Sequence, residues 1–199
     1  MNDEPPAGPG EEPGAIESRS IFRGRLLDVR VDRVRFPDGS EGRMEVVRHG
    51  GAAAALPLHE SGHATGRDAP AVTLIRQYRY ATGGPLWEVP AGRLDPGEAP
   101  AHCAARELEE ETGLRAGTLA SLGTIWTTPG FTDEVVHLFL ATELRPGRRA
   151  HERHEFIECH EMPLTEALEM IDRGEIADAK TVAALLLAAR RLYDRPAPR

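Results

Sequence analysis

Between Gly92 and Leu114 the chain runs Gly92-Arg93-Leu94-Asp95-Pro96-Gly97-Glu98, seven further residues, then Arg106-Glu107-Leu108-Glu109-Glu110-Glu111-Thr112-Gly113-Leu114. Glycine, proline and five glutamates in this order spell a loop, a helix and a turn. A helix is expected over Glu98–Thr112. Gly113 serves as its C′ terminator, since glycine takes the left-handed conformation that closes a helix without a steric penalty.

With each residue turned by about 100°, Ala101, Ala104, Ala105, Leu108 and Thr112 fall on one stripe, the expected core face. Glu107, Glu110 and Glu111 share another. Glu107 and Glu111 are four apart, and unpaired like charges at that spacing cost an isolated helix roughly 0.2–0.5 kcal/mol per pair. A hard divalent cation reverses the sign, because Mg²⁺ or Mn²⁺ prefers oxygen ligands. A glutamate run usually means a solvated acidic face, and Glu109 is read that way. For the other three, the fixed spacing of glycine and arginine around them argues for metal held against a phosphorylated substrate.

The rest of the composition narrows the setting. A length of 199 residues suits one domain, or one domain with a small appendage. Hydrophobic content of 40% with 28% charged residues is that of an ordinary soluble protein. A net charge of −8 argues against nucleic acid as the main partner. Met1 to Gly14 lacks the apolar run of a signal peptide, and no stretch approaches the ~18–20 apolar residues of a membrane span, so neither secretion nor a membrane partner is expected. A cytoplasmic location is the default. Two cysteines, Cys103 and Cys159, make neither a disulfide framework nor a metal quartet. Cys103 reads as a small core residue.

Residues 1–15, rich in proline, glycine and acid, are expected to be a disordered tail. Over 16–50 a small antiparallel β block is expected. Leu27, Val29 and Val31 alternate with Asp28, Arg30 and Asp32, and Phe36-Pro37-Asp38-Gly39-Ser40 makes a turn into a second extended run from Met44 to Arg48. Such a block has few places to bury its alternating face within one subunit, so a homodimer is expected. Residues 51–195 carry the main domain: buried strands at Ala52–Leu58 and Ala71–Ile75, a polar loop at His59–Ala69 between them, and a short strand at Leu86–Val89. After the glutamate helix come strands at Leu119–Trp126, Glu134–Thr142 and Phe156–His160. Helices follow at Leu164–Ile171 and Thr181–Tyr193, the second apolar through Val182, Leu185, Leu186 and Ala189. This order predicts an α/β fold with a mixed sheet and helices on both faces, an α/β/α sandwich.

The string from Gly92 to Leu114 matches the Nudix box at each of its nine specified positions and resembles that hydrolase family. The resemblance implies the Nudix α/β/α sandwich and hydrolysis of a nucleoside diphosphate linked to another moiety. It also implies roles: Glu107 and Glu111 as principal metal ligands, Glu110 as an auxiliary one, the backbone carbonyl of Ala91 as a further ligand, and Arg106 with Glu98 as the pair that orders the loop.

Outside the box the chain is similar to the ADP-ribose pyrophosphatase branch, on four features. These are the N-terminal strand block, Leu74-Ile75-Arg76-Gln77-Tyr78-Arg79-Tyr80, Trp87-Glu88-Val89-Pro90-Ala91-Gly92, and Pro129 within Thr128-Pro129-Gly130-Phe131-Thr132-Asp133-Glu134. That resemblance implies Mg²⁺-dependent, or alternatively Mn²⁺-dependent, cleavage of ADP-ribose to AMP and ribose 5-phosphate. Arg79 is then a candidate clamp for ribose or phosphate, Tyr78 and Tyr80 are candidate adenine contacts, and Gly130, Phe131 and Glu134 are candidate sugar-side contacts. The general base is expected among His151-Glu152-Arg153-His154-Glu155, with Glu155 ahead of Glu152. A GDP-mannose or other nucleoside-diphosphosugar pyrophosphatase is the alternative. A non-catalytic nucleotide-sugar-binding regulator is the remote one, because the box is intact.

Overall fold

A computed structural model describes residues 13–59, 70–150 and 156–193. The chain forms two compact units, one built from the residues up to His49 with Thr128–Glu134, the other from Gly50–Thr127 and Val135 onward.

In the first unit three strands, β1 (Gly14–Arg23), β2 (Asp28–Arg35) and β3 (Glu41–Arg48), pair antiparallel in the order β1-β2-β3. The Phe36–Ser40 turn closes the β2–β3 hairpin: Gly39 sits at φ 82°, and Asp38 accepts the backbone and hydroxyl hydrogens of Ser40. Thr128–Glu134 folds with this sheet. Val47 donates its amide to the Phe131 carbonyl at 2.8 Å, and Arg48 reaches both buried Asp32 (2.7 Å) and Asp133 (3.1 Å). Every residue of β1 is exposed, including Ile16, Ile21 and Phe22.

The second unit holds a seven-stranded mixed sheet. Its strands are β4 (Ala52–His59), β5 (Ala71–Arg79), β6 (Gly84–Glu88), β7 (Ala91–Arg93), β9 (Thr118–Trp126), β10 (Val135–Thr142) and β12 (Ile157–Pro163), with a separate two-residue pair β8 (Leu114–Arg115) and β11 (Arg145–Pro146). The main order is β12-β5-β4-β10-β9, with β6 beside β5 and β7 beside β4. Only the β4–β10 pairing is parallel among these.

Alternation along β4 explains the layers. Ala54, Leu56 and Leu58 point into a core with α2 (Leu164–Asp172) and α3 (Ala179–Tyr193), whereas Ala53 and Ala55 face α1 (Pro100–Thr112). Successive side chains of a strand alternate between faces, so a strand buried on both reads as a continuous apolar run. The α1 face is lined by small residues, Ala53, Ala55 and Ala141, which let the helix lie close to the sheet against Cys103, Ala104 and Leu108. The result is the mixed α/β sandwich expected from the order of elements.

Details differ from the sequence expectation. The glutamate helix begins at Pro100, not Glu98. Proline has no N–H to give but fits the first helical turn, and Glu98 instead closes a turn by donating its amide to Asp95 O at 2.9 Å. Ala105 is exposed, and the buried face runs through Cys103, Ala104, Leu108, Glu111 and Thr112. On α3, Leu186 is 51% exposed, while Thr181, Ala184, Leu185 and Ala188 are buried. Phe156 is exposed and precedes β12. His59 ends β4, and the remainder of its expected loop lies outside the described residues, as does most of the expected N-terminal tail.

Candidate active site

The loop ahead of α1 is set by its own turn. Gly97 adopts φ 80°, Glu98 N–H reaches Asp95 O, and the Glu98 carboxylate accepts the Asp95 amide at 3.1 Å. That carboxylate also receives Arg106 through Nε and Nη2, each at 3.1 Å. The Arg106 guanidinium then reaches Glu107 at 2.6 Å and Glu110 at 3.1 Å through Nη1, and the Arg93 carbonyl at 3.3 Å through Nη2. One arginine thus gathers three carboxylates and the loop backbone. Its own pKa is raised, chiefly by the Glu98 hydrogen bond, and the same bond holds Glu98 down at about 2, with help from the Asp95 amide.

Glu111 lies on the buried side of the helix, 4% exposed, and accepts the Ala91 amide at 3.0 Å. This fixes the segment bearing the Ala91 carbonyl beside the helix. Gly92 is next in that segment, and a Cβ there would overlap the Glu107 carboxylate. Among the described residues, no three Asp, Glu, His or Cys side chains form a ready-made metal ligand set. Arg106 stands among the carboxylates instead.

The C-terminal end of α1 anchors another segment. Gly113, at φ 74°, donates to Glu109 O, as a left-handed cap does. Residues 147–150 are stitched to this end. Gly147 donates to Gly113 O (2.7 Å), Arg148 N to the Glu109 carboxylate (3.1 Å), Arg149 Nε to Thr112 O (2.9 Å) and Ala150 N to Glu110 O (3.0 Å). Glu109 also pairs with Arg115 at 2.8 Å. It is therefore a tether rather than the freely solvated carboxylate expected.

A second charged group stands at the start of the segment entering the box. Arg79 clasps Glu88 through Nε (2.7 Å) and Nη2 (2.8 Å), and Lys180 from α3 reaches the same carboxylate. Lys180 in turn lies 3.0 Å from Asp178. Burial of Glu88 raises its pKa, but the Arg79 and Lys180 contacts outweigh it, and the carboxyl stays below the usual range. Asp178 also accepts the amide (3.0 Å) and hydroxyl (2.6 Å) hydrogens of Thr181, whose Oγ1 accepts the Val89 amide at 2.8 Å. The first turn of α3 is thereby fastened to the strand leading to Ala91. Glu88, Asp178, Lys180 and Thr181 were not among the expected site residues. One signal was there, since Asp178 three residues before Thr181 is a helix-cap spacing.

The remaining candidates fall in both units. Tyr78 is 52% exposed, and Tyr80 is 89% exposed at the start of a 3₁₀ turn, Tyr80–Thr82. Gly130, Phe131 and Glu134 belong to the unit of the N-terminal sheet, where His49 Nδ1 approaches Glu134 at 3.5 Å. Glu152 and Glu155 lie outside the described residues.

Comparison with known proteins agrees with this geometry. Residues 48–185 match the NUDIX domain, and residues 15–47 match the nucleoside diphosphate sugar hydrolase N-terminal domain. The chain is 38% identical over 176 residues to the ADP-ribose pyrophosphatase of Bacillus subtilis (strain 168), covering 87% of this chain and 91% of that one. It is 41% identical over 157 residues to the GDP-mannose pyrophosphatase of Cronobacter sakazakii (strain ATCC BAA-894), covering 71% and 78% respectively. Its fold superposes on a crystal structure described as an ADP compounds hydrolase with a TM-score of 0.78 at 23% identity, covering 94% of this chain and 98% of that one. No described helix is long and apolar enough to cross a membrane. With an intact box folded as loop, helix and left-handed cap, and with relatives matched along most of its length, the chain belongs to the NUDIX family and is one of its hydrolases.

Proposed function

We propose that this hydrolase is a Mg²⁺-dependent pyrophosphatase that splits ADP-ribose into AMP and ribose 5-phosphate, acting as a cytoplasmic homodimer. The observation that supports the reading is that Glu111 accepts the Ala91 amide while a Cβ on Gly92 would overlap Glu107, so that the Ala91–Gly92 segment lies against the glutamates of α1. The choice of sugar rests on the relatives. The match to an ADP-ribose pyrophosphatase runs through 87% of the chain, against 71% for the GDP-mannose pyrophosphatase.

These residues fit a divalent ion. The donor set of Glu107, Glu110, Glu111 and the Ala91 carbonyl is all oxygen, which suits Mg²⁺ and also Mn²⁺. The missing side chain at Gly92 leaves the space that the Glu107 carboxylate fills. Bound there, the ion supplies charge neutralisation for the diphosphate and lowers the pKa of a coordinated water.

The chain's own groups do the rest. Arg106 holds Glu107 and Glu110 close despite their like charge. Arg79 turns its remaining donors toward an anionic substrate, a task suited to a planar guanidinium. Glu155, or Glu152 in its place, takes the proton of the attacking water. Tyr78 and Tyr80 are the proposed contacts to the adenine. The free thiols of Cys103 and Cys159 are in keeping with a reducing compartment. The exposed apolar residues Ile16, Ile21 and Phe22 of β1 support pairing with a second copy.

Turnover of ADP-ribose and GDP-mannose, measured side by side with Mg²⁺, decides the substrate. ADP-ribose is expected to have the higher kcat/KM. A clear preference for GDP-mannose would replace the assignment with the second reading, which the relative of that name favours. Chelation of divalent ions should stop turnover with either substrate, and added Mg²⁺ should restore it.

A further inference from the structure

Glu88 is 1% exposed, paired across the sheet with core residue Ile75 and followed by core residue Val89. Removing a carboxylate from water costs several kcal/mol unless it is paired, and a well-packed apolar residue would serve a core at least as well. Here the carboxylate is paired twice, by Arg79 and by Lys180, and Lys180 is paired again by Asp178. The charges alternate along a line, Arg79⁺, Glu88⁻, Lys180⁺, Asp178⁻, and sum to zero. The line is graded in exposure. The Glu88 side chain is 2% exposed, Lys180 16%, Asp178 17% and Arg79 40%.

Only the Arg79 end is open enough to meet a ligand. Glu88 occupies its Nε and one direction of Nη2, and among the described residues the Nη1 donors meet no acceptor. A bidentate clasp of this kind fixes the plane of the guanidinium, so the free donors project in one direction. The role of Lys180 follows from charge. Were Glu88 shared with nothing else, it would neutralise Arg79 and weaken the pull of its outer edge on an anion. Lys180 takes up part of that negative charge from the buried side.

We infer that Lys180 and Glu88 are positioning residues for substrate binding: together they aim Arg79 and preserve its positive field toward the diphosphate or its attached ribose phosphate. The inference rests on the proposed reading of Arg79 as a substrate contact, and it adds α3, a helix with no residue in the box, to the elements that set substrate affinity. Asp178 and Thr181 hold Lys180 in place by capping the helix that carries it.

The test is a kinetic cycle on the full-length enzyme with Mg²⁺ and ADP-ribose, using Lys180→Met, Lys180→Gln, Lys180→Arg, Arg79→Ala and the double variant Arg79→Ala/Lys180→Met. For Lys180→Met, KM is expected to rise about tenfold while kcat changes much less, the signature of lost binding rather than lost chemistry. Lys180→Arg, which restores the charge, should recover most of that rise, and Lys180→Gln, which keeps a donor without charge, should fall between. The double variant should have the KM of Arg79→Ala, because residues acting through one another are not additive. KM does not depend on the fraction of enzyme that is folded, so a loss of stability does not imitate this result.

An unchanged KM in Lys180→Met would overturn the inference, as would effects that multiply in the double variant. Failure of all three Lys180 variants to fold would assign the charge line to stability alone and overturn it equally. If the wild type does not cleave ADP-ribose, the substrate assignment fails by itself, and the same cycle is read on GDP-mannose.

Discussion

Gly92 and Glu107 claim the same volume: a Cβ at position 92 would overlap the carboxylate of the helix glutamate. The glycine is needed here for space, since its φ is not among the positive ones. Gly92→Ala must push Glu107 aside or shift the loop. Activity is expected to fall on the order of 100-fold, the scale at which a misplacement of about 1 Å is felt. Thermal unfolding should change little, because the displaced group is the far end of a flexible side chain rather than backbone. Near wild-type kcat/KM in the alanine variant would show that Glu107 need not sit where it does.

Glu111 offers the complementary substitution. Glu111→Gln keeps an oxygen to accept the Ala91 amide and alters volume hardly at all, so the fold should survive with a Tm near that of wild type. It removes the charge needed by a divalent ion, and turnover should drop by roughly 100-fold or more. Isothermal titration with Mn²⁺ should show weakened binding in parallel. Normal turnover by this variant would remove Glu111 from the metal set.

The Glu98–Arg106 contact makes an acid-side prediction. The Glu98 carboxyl lies at about 2 in the folded protein against an ordinary 4.5, so folding favours its ionised form. The stabilisation is fully present above 4.5 and fades as pH falls from there toward 2. Glu98→Gln should therefore be less stable than wild type at neutral pH, with the gap closing over that acid window. Melting curves at a series of pH values measure it. A gap that stays constant down to pH 2 would mean that charge is not what the contact contributes.

Cys103 should be chemically silent. It lies on the buried, sheet-facing side of α1, its Sγ donates to the Arg93 carbonyl at 3.3 Å, and burial pushes its thiol up to about 12. The thiolate is the reactive form, so a thiol reagent at pH 8 should not modify Cys103 until denaturant is added. Mass spectrometry of peptides after timed labelling separates it from Cys159. Rapid labelling of Cys103 in the native enzyme would indicate that the helix lifts readily from the sheet.

The exposed apolar side of β1 can be tested by charge. Phe22→Asp together with Ile21→Asp should leave the mixed sheet intact and, if β1 meets a second copy, convert a dimer to a monomer in light scattering. A wild type that is monomeric at micromolar concentration would rule out pairing there.

Legibility followed locality. The box was readable because its positions lie on one short stretch whose spacing is enforced by a helix, and the Glu98–Arg106 contact joins two ends of that stretch. The continuous apolar run of β4 was readable as a buried strand for the same reason. The stripe on α1 was drawn through Ala105 because alanine is equally suited to either side of a helix and carries no directional information. Glu88 was harder still. Within Trp87-Glu88-Val89 it looks like a charge on a strand, and its burial makes sense only once Lys180, 92 positions later, is brought against it. The pairing of Thr181 with the Val89 amide is equally remote in sequence. No local pattern encodes a contact whose partners are assembled by the sheet.

The dependence of that strand on α3 has a bearing on synthesis. The glutamate helix leaves the ribosome well before Lys180 and Thr181 do, and until those arrive the amide of Val89 lacks its acceptor and the carboxylate of Glu88 has Arg79 alone. A nascent chain therefore carries its hydrolytic motif complete in letters yet only half fastened in space, and the remaining hold is supplied late, by the helix translated after every residue of the box.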